Sequence, residues 1–121
     1  MPRPVHFELP ADNPERAVKF YQSVFDWKID RWEGPMDYFL VSTGSGERGI
    51  DGGIVQRQQP GTGTVNTIDV TSLDTFVDRV RKSGGSVVVP RMAVPGIGWL
   101  CYCLDTEQNM FGLMQSDPAA K

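Results

Sequence analysis

The chain has 121 residues, a length at which one domain can bury a hydrophobic core without disulfides or metal ions. Hydrophobic residues make up 40% and charged residues 22%, and the net charge of -3 without a basic stripe disfavours a nucleic-acid partner. No segment approaches the ~20 apolar residues of a membrane span, and the start, "MPRPVHFELP", lacks the apolar run of a signal peptide. We therefore expect a cytoplasmic protein with no membrane partner.

The first half of the chain is predicted to form a strand, a helix and three further strands. After the strand that contains "VHFEL", Asn13 is a natural helix N-cap, Pro14 suits the first helical position, and Glu15 lies in the first turn. Apolar residues then recur at helical spacing and predict a buried stripe, which consists of Ala17, Phe20, Tyr21 and Val24. The three strands that follow are "WKIDRWE", "DYFLVST" and "GIDGGIVQR".

The second half repeats this order after a Pro/Gly-rich linker at about residues 58–63. Thr71 or Ser72 caps a helix that ends at Gly84-Gly85. Its apolar stripe consists of Leu73, Phe76, Val77 and Val80, and the later strands are "SVVVPRMAV", "GWLCYCLD" and "MFGLMQ". We predict a single α+β domain over residues 1–121, built from two β-α-β-β-β modules at about residues 4–57 and 64–116, with a frayed tail "SDPAAK".

The first strand of each module alternates apolar and polar residues with period two, so one face should pack on the following helix. The apolar residues are Phe7, Leu9, Ile68 and Val70, and the polar residues are His6, Glu8, Thr67 and Asp69. The polar face should meet solvent, a cavity or a partner chain. His6, the only histidine, could act as an acid or base whose pKa Glu8 or Asp69 adjusts. The alternative is a partly buried histidine kept for its hydrogen bonds.

The two cysteines, Cys101 and Cys103, stand two residues apart on a predicted strand. Their side chains should point to the same face, where a disulfide would require a strained backbone. We therefore predict buried, reduced thiols rather than a metal or redox pair.

Two long stretches, "HFELPADNPERAVKFYQSVFDWKI" and "VPGIGWLCYCLDTEQNMFGLMQ", resemble the vicinal oxygen chelate superfamily, which holds glyoxalase I, bleomycin-resistance proteins and extradiol dioxygenases. The closer resemblance is to small glyoxalase-like proteins whose last hairpin runs Asp-Pro-x-Gly-Asn. Here that turn is "DTEQN", with Thr106 and Gln108 in place of Pro and Gly. The resemblance implies a sheet curled into a cup with a pocket on its concave face, and a homodimer.

The resemblance also implies where a divalent metal such as Ni, Zn, Mn or Fe would bind, because metal-using members take ligands from the first and last strand of each module. His6 matches the first position. The second module offers only Val65, Asn66 or Thr67 on its first strand and Gly112 on its last. On the fourth strand Asp51 is the only acid, with Gly52, Gly53 or Gln56 as alternatives. The standard metal quartet is thus largely lost, and His6 is a possible remnant ligand.

The concave face of the last strand should carry Met110, Gly112 and Met114, where a glycine beside methionines leaves room for a flat apolar ligand. The loop from Arg91 to Trp99 could act as a lid. We expect His6 and Glu8 as catalytic candidates, and the substrate-binding candidates are Thr67, Asp69, Trp99, Met110, Gly112 and Met114.

These residues favour a protein that binds a small organic molecule without the metal quartet. The alternative function is a metal-dependent lyase, as in glyoxalase I, an isomerase or a dioxygenase that uses His6 and further ligands not placed by the sequence. A third class, a structural interaction module, is disfavoured by the polar residues of the strand faces.

Overall fold

The computed structural model describes residues 2–34, 37–46 and 48–121. The elements in chain order are β1 (Arg3–Ala11), α1 (Pro14–Phe25), β2 (Lys28–Arg31), β3 (Tyr38–Ser42), β4 (Asp51–Gln56), β5 (Val65–Asp69), α2 (Leu73–Lys82), β6 (Ser86–Val94), β7 (Gly98–Leu104) and β8 (Met110–Ser116). This order confirms the α+β class and the two β-α-β-β-β modules. In the described ranges, no helix has both the length and the apolar content that crossing a bilayer demands.

The chain divides into two compact units, of which the first comprises residues His6–Thr64. Its strands are ordered β2-β3-β4-β1, and β1 runs parallel to β4 while the other neighbours are antiparallel. The buried core contains Ala11, Ile29, Val41 and Ile54. Asn13 caps α1 as predicted, because its side chain accepts a hydrogen bond from the Arg16 N–H at 3.1 Å.

The second unit comprises Val65–Lys121 together with the first residues of the chain, up to Val5. Its strands are ordered β5-β8-β7-β6, with β5 and β8 parallel. Ser72 is the N-cap of α2, and Gly84 follows the helix with a φ of +97°, where glycine avoids the clash of a side chain. The stripe of α2 packs into the core as predicted, with Leu73 only 1% exposed.

The apolar stripe predicted for α1 is correct only in part. Ala17 and Tyr21 pack against the core of the first unit, but Phe20 and Val24 are 57% and 54% exposed. Val18, which the prediction left out, packs in their place. The helix is therefore rotated so that the buried side follows Ala17, Val18 and Tyr21.

The C-terminal tail is ordered against the β6–β7 hairpin, and the prediction of a frayed tail is wrong. The Asp117 N–H donates to the Ile97 carbonyl and the Gly96 N–H donates to the Ala120 carbonyl, each at 2.9 Å. Ala120 is only 2% exposed. The segment predicted as a lid forms the end of this hairpin, which the tail holds in place, so it is not a free lid.

The turn between β7 and β8 contains a strained residue, Gln108, with a φ of +67°. Asp105 holds the turn together, and hydrogen bonds from Asn109 and from the Glu107 backbone lower the pKa of its carboxyl group. Gln108→Gly should raise the free energy of unfolding by about 0.5–1 kcal/mol, because glycine adopts this φ without a steric penalty. Urea denaturation measures the change.

The matched control is Glu107→Gly in the same turn, where φ is negative. This substitution should lower the free energy of unfolding, since glycine there adds entropy to the unfolded chain and removes the carboxylate that accepts a hydrogen bond from Thr106. Equal effects of the two substitutions would contradict the assignment of strain to Gln108.

Candidate functional site

The polar face of the first unit is set by the pairing of β1 with β4. His6 pairs with Asp51 and Glu8 pairs with Gly53 in the parallel ladder, so these residues point to one face. Phe7, Leu9 and Ala11 point to the opposite face, where they form or pack against the core. The structure therefore brings the two predicted catalytic candidates together on one face.

Tyr38, a residue that was not predicted as part of the site, connects these two side chains. Its hydroxyl group lies 2.9 Å from Nε2 of His6 and donates a hydrogen bond to Oε2 of Glu8 at 3.2 Å. All three side chains are half-buried. The imidazole, the phenol and the carboxylate thus form one hydrogen-bonded chain, which we call the His6–Tyr38–Glu8 triad.

Gly53 makes this arrangement possible. Tyr38 starts on β3, and its ring must cross β4 to reach the side chains of β1. A Cβ atom on Gly53 would overlap the hydroxyl group and the ring of Tyr38. The absence of a side chain at this position therefore leaves the space that the phenol occupies.

The environment of His6 favours its neutral form. Burial lowers the pKa of His6 from its usual 6.5, and the nearby carboxylate of Asp51 offsets this only in part. In the unfolded chain the same imidazole takes up a proton near pH 6.5. Between its folded and unfolded pKa values, the unfolded state therefore binds more protons than the folded state.

The free energy of unfolding should consequently fall as the pH drops through 6.5 towards the lower pKa of folded His6. His6→Gln should remove this part of the pH dependence. Urea denaturation of the wild type and of His6→Gln across this pH range gives the contribution of His6 as the difference between their free energies of unfolding. A wild-type protein that gains stability relative to His6→Gln on acidification would contradict the direction of the shift.

The residues at the four metal-ligand positions implied by the resemblance do not fit a divalent ion. Nε2 of His6 is engaged by Tyr38, and the Asp51 carboxylate accepts a hydrogen bond from the Thr43 N–H at 2.9 Å. In the second unit, Val65 is buried and Gly112 has no side chain. Within the part of the chain that the structure describes, no three His, Cys, Asp or Glu residues are grouped as metal ligands. Divalent ions in proteins ordinarily need about three such ligands.

The substrate-binding candidates of the second unit mostly share one face. Thr67 pairs with Gly112 and Asp69 pairs with Met114, so the register of β8 is as predicted. A Cβ atom on Gly112 would lie 3.1 Å from Oγ1 of Thr67 and 3.4 Å from the Tyr102 ring. The space above Gly112 is thus bounded by these side chains. The binding role of Thr67, Asp69, Met110, Gly112 and Met114 stays a prediction.

Trp99 does not belong to that face. It pairs with Gln115, one register position away from the Leu100–Met114 pair, so its ring lies on the opposite side of β7 and packs against the core. Its Nε1–H donates to Asp117 at 3.0 Å. The alternation of β7 thus places Trp99 with the buried residues, and we leave it out of the candidate site.

Cys101 and Cys103 are buried in the same core as reduced thiols, as predicted. Their sulfur atoms are 4.0 Å apart. Burial raises the pKa of the Cys101 thiol to about 12, which keeps it protonated and unreactive.

Comparisons with known proteins agree with this architecture. The model of the glyoxalase/bleomycin resistance protein/dioxygenase superfamily matches residues 3–113. A glyoxylase-like domain-containing protein of Didymella fabae is 30% identical over 108 residues, which cover 84% of each chain.

Two solved structures show the same fold. A hypothetical protein of Bacillus halodurans C-125 superposes with a TM-score of 0.74 at 11% identity and covers 99% of this chain and 98% of its own. A variant methylmalonyl-CoA epimerase of Streptomyces coelicolor, in complex with 2-nitronate-propionyl-CoA, superposes with a TM-score of 0.70 at 13% identity, covering 98% and 97%. At these identities the likeness shows the fold alone.

Proposed function

Since the chain belongs to the glyoxalase/bleomycin resistance protein/dioxygenase superfamily, we propose that it binds a small organic molecule on the polar face of its first unit, without a divalent metal. The observation that carries this proposal is the His6–Tyr38–Glu8 triad. In it the phenol of Tyr38 contacts Nε2 of His6 at 2.9 Å, and this nitrogen is therefore not open to a metal ion. Members of one fold differ in function, so the site and not the fold supports the proposal.

The triad offers the groups that a small-molecule site needs. A half-buried imidazole, phenol and carboxylate converge on a face next to the side chain of Leu40, which is 45% exposed. Such sites combine a few precisely placed polar groups with apolar surface. His6 and Glu8 thus keep the role of catalytic candidates, with Tyr38 added to them. A cytoplasmic homodimer remains part of the proposal.

A ligand-observed NMR screen of small organic molecules that carry hydroxyl, amide or carbonyl groups tests the proposal, in buffer treated with a chelator. We expect the hits to bind Tyr38→Phe and His6→Gln at least tenfold more weakly than the wild type, equivalent to about 1.4 kcal/mol. The matched control is Tyr21→Phe, which removes a phenol from α1 and should leave the Kd of the hits unchanged. The proposal would be overturned by hits whose Kd is the same for the wild type, Tyr38→Phe and His6→Gln. Hits that bind only after a divalent metal is added would overturn it too.

A further inference from the structure

The hydroxyl proton of Tyr38 determines which ring nitrogen of His6 carries a proton and which can accept a hydrogen bond. Tyr38 has one hydroxyl proton and donates it to Glu8, whose carboxylate can only accept. Nε2 of His6 lies 2.9 Å from the same hydroxyl oxygen. Because that proton is already used, the contact requires His6 to donate its own N–H from Nε2.

The consequence concerns the second ring nitrogen. In a neutral imidazole only one nitrogen carries a proton, so Nδ1 is left with a lone pair. Among residues 2–34, 37–46 and 48–121, none donates a hydrogen bond to Nδ1. The lowered pKa of His6 agrees with a lone pair that is available near neutral pH.

The charges around His6 restrict what can approach that lone pair. Glu8 follows two positions along β1 on the same face, and Asp51 is the direct partner of His6 on β4. Two carboxylates this close disfavour an anionic group on the ligand. An uncharged hydroxyl or N–H group both avoids this repulsion and supplies the hydrogen that Nδ1 accepts.

We infer that Tyr38 and Glu8 hold His6 as its Nε2–H tautomer, so that Nδ1 accepts a hydrogen bond from an uncharged hydroxyl or N–H group of the ligand. Gly53 is the positioning residue for this arrangement, because a Cβ atom at this position would overlap the ring and the hydroxyl group of Tyr38. The ligand part of the inference rests on the proposed function, whereas the tautomer part does not.

The tautomer is tested by NMR of ¹⁵N-labelled protein, in which the single histidine gives one unambiguous imidazole spin system. We expect the wild type to show an Nε2–H proton protected from exchange with water. Tyr38→Phe should lose this protection. Gly53→Ala should lose it too, because the displaced Tyr38 no longer accepts from His6. Gly63→Ala is the control, since a Cβ atom at Gly63 meets nothing within 4 Å.

An Nδ1–H tautomer in the wild type would overturn the inference, as would protection that persists in both Tyr38→Phe and Gly53→Ala. The free energy of unfolding, measured on the same samples, distinguishes the positioning role of Gly53 from a purely structural role. Protection lost in a stable, folded Gly53→Ala protein supports positioning, whereas protection kept at lower stability contradicts it.

The ligand class is tested on the hits of the screen described above, each compared with its O-methyl or N-methyl derivative. We expect methylation of the donor group to weaken binding at least tenfold, and carboxylate analogues to bind less than the parent hit. Methylated hits that bind equally well would overturn the assignment of the ligand class. An empty screen would overturn the proposed function, while the tautomer is decided by the NMR result alone.

Discussion

Gly52→Ala should lower the free energy of unfolding by about 3 kcal/mol, because the new Cβ atom would lie 2.5 Å from the carbonyl oxygen of Phe7. That oxygen belongs to the backbone of β1, the parallel partner of β4, and cannot move without breaking the pairing of the strands. Equilibrium denaturation in urea, with circular dichroism as the signal, measures the loss.

The adjacent substitution Gly53→Ala provides the comparison. Its Cβ atom meets the side chain of Tyr38, which can rotate away, so we expect a loss of only about 1 kcal/mol. We expect the loss of stability to be larger for Gly52→Ala than for Gly53→Ala. A Gly53→Ala protein less stable than Gly52→Ala would contradict the view that the first glycine serves strand pairing and the second serves the position of Tyr38.

Leu73→Ala should lower the free energy of unfolding by about 3–5 kcal/mol, since Leu73 is only 1% exposed and its removal leaves a cavity among close-packed neighbours. It lies in the first turn of α2, within the core formed with Val70, Cys101, Cys103 and Leu113. Chemical denaturation of the purified variants gives the difference.

Phe20→Ala is the matched control from the other helix. Phe20 is 57% exposed on α1, so its truncation should change the free energy of unfolding by no more than about 1 kcal/mol. Similar losses for the two variants would show that Phe20 is buried in solution and would contradict the rotation that exposes it on α1.

The starts of both helices and the end of α2 could be predicted because local chemistry determines them. Asn13 and Ser72 satisfy the exposed N–H groups at the helix starts, and Gly84 takes the positive φ that follows α2. The position of α1 around its own axis could not be predicted in the same way. Spacing shows that a stripe exists, but only the sheet decides whether Phe20 or Val18 turns inward.

The two predicted members of the triad came from the period-two pattern of β1, whereas Tyr38 and Gly53 needed the register of three strands. Tyr38 pairs with Val55 and not with Gly53, so even the correct pairing of β3 and β4 does not predict the contact between Tyr38 and Gly53. The one available signal was the pair of consecutive glycines within a strand, which is typical of a close approach by another group. The face on which Trp99 lies could not be predicted, because β7 has apolar residues on both faces and no alternation of apolar and polar residues.

The most direct test of the metal-independent site is the metal content of protein purified without a metal-binding tag and dialysed against Ni²⁺, Zn²⁺, Mn²⁺ or Fe²⁺. We expect less than about one tenth of an equivalent of each ion, equal in the wild type and in His6→Ala, because residues 2–34, 37–46 and 48–121 offer no group of three His, Cys, Asp or Glu ligands. One equivalent of metal in the wild type that is lost in His6→Ala would contradict this account and favour a metal-dependent lyase, isomerase or dioxygenase.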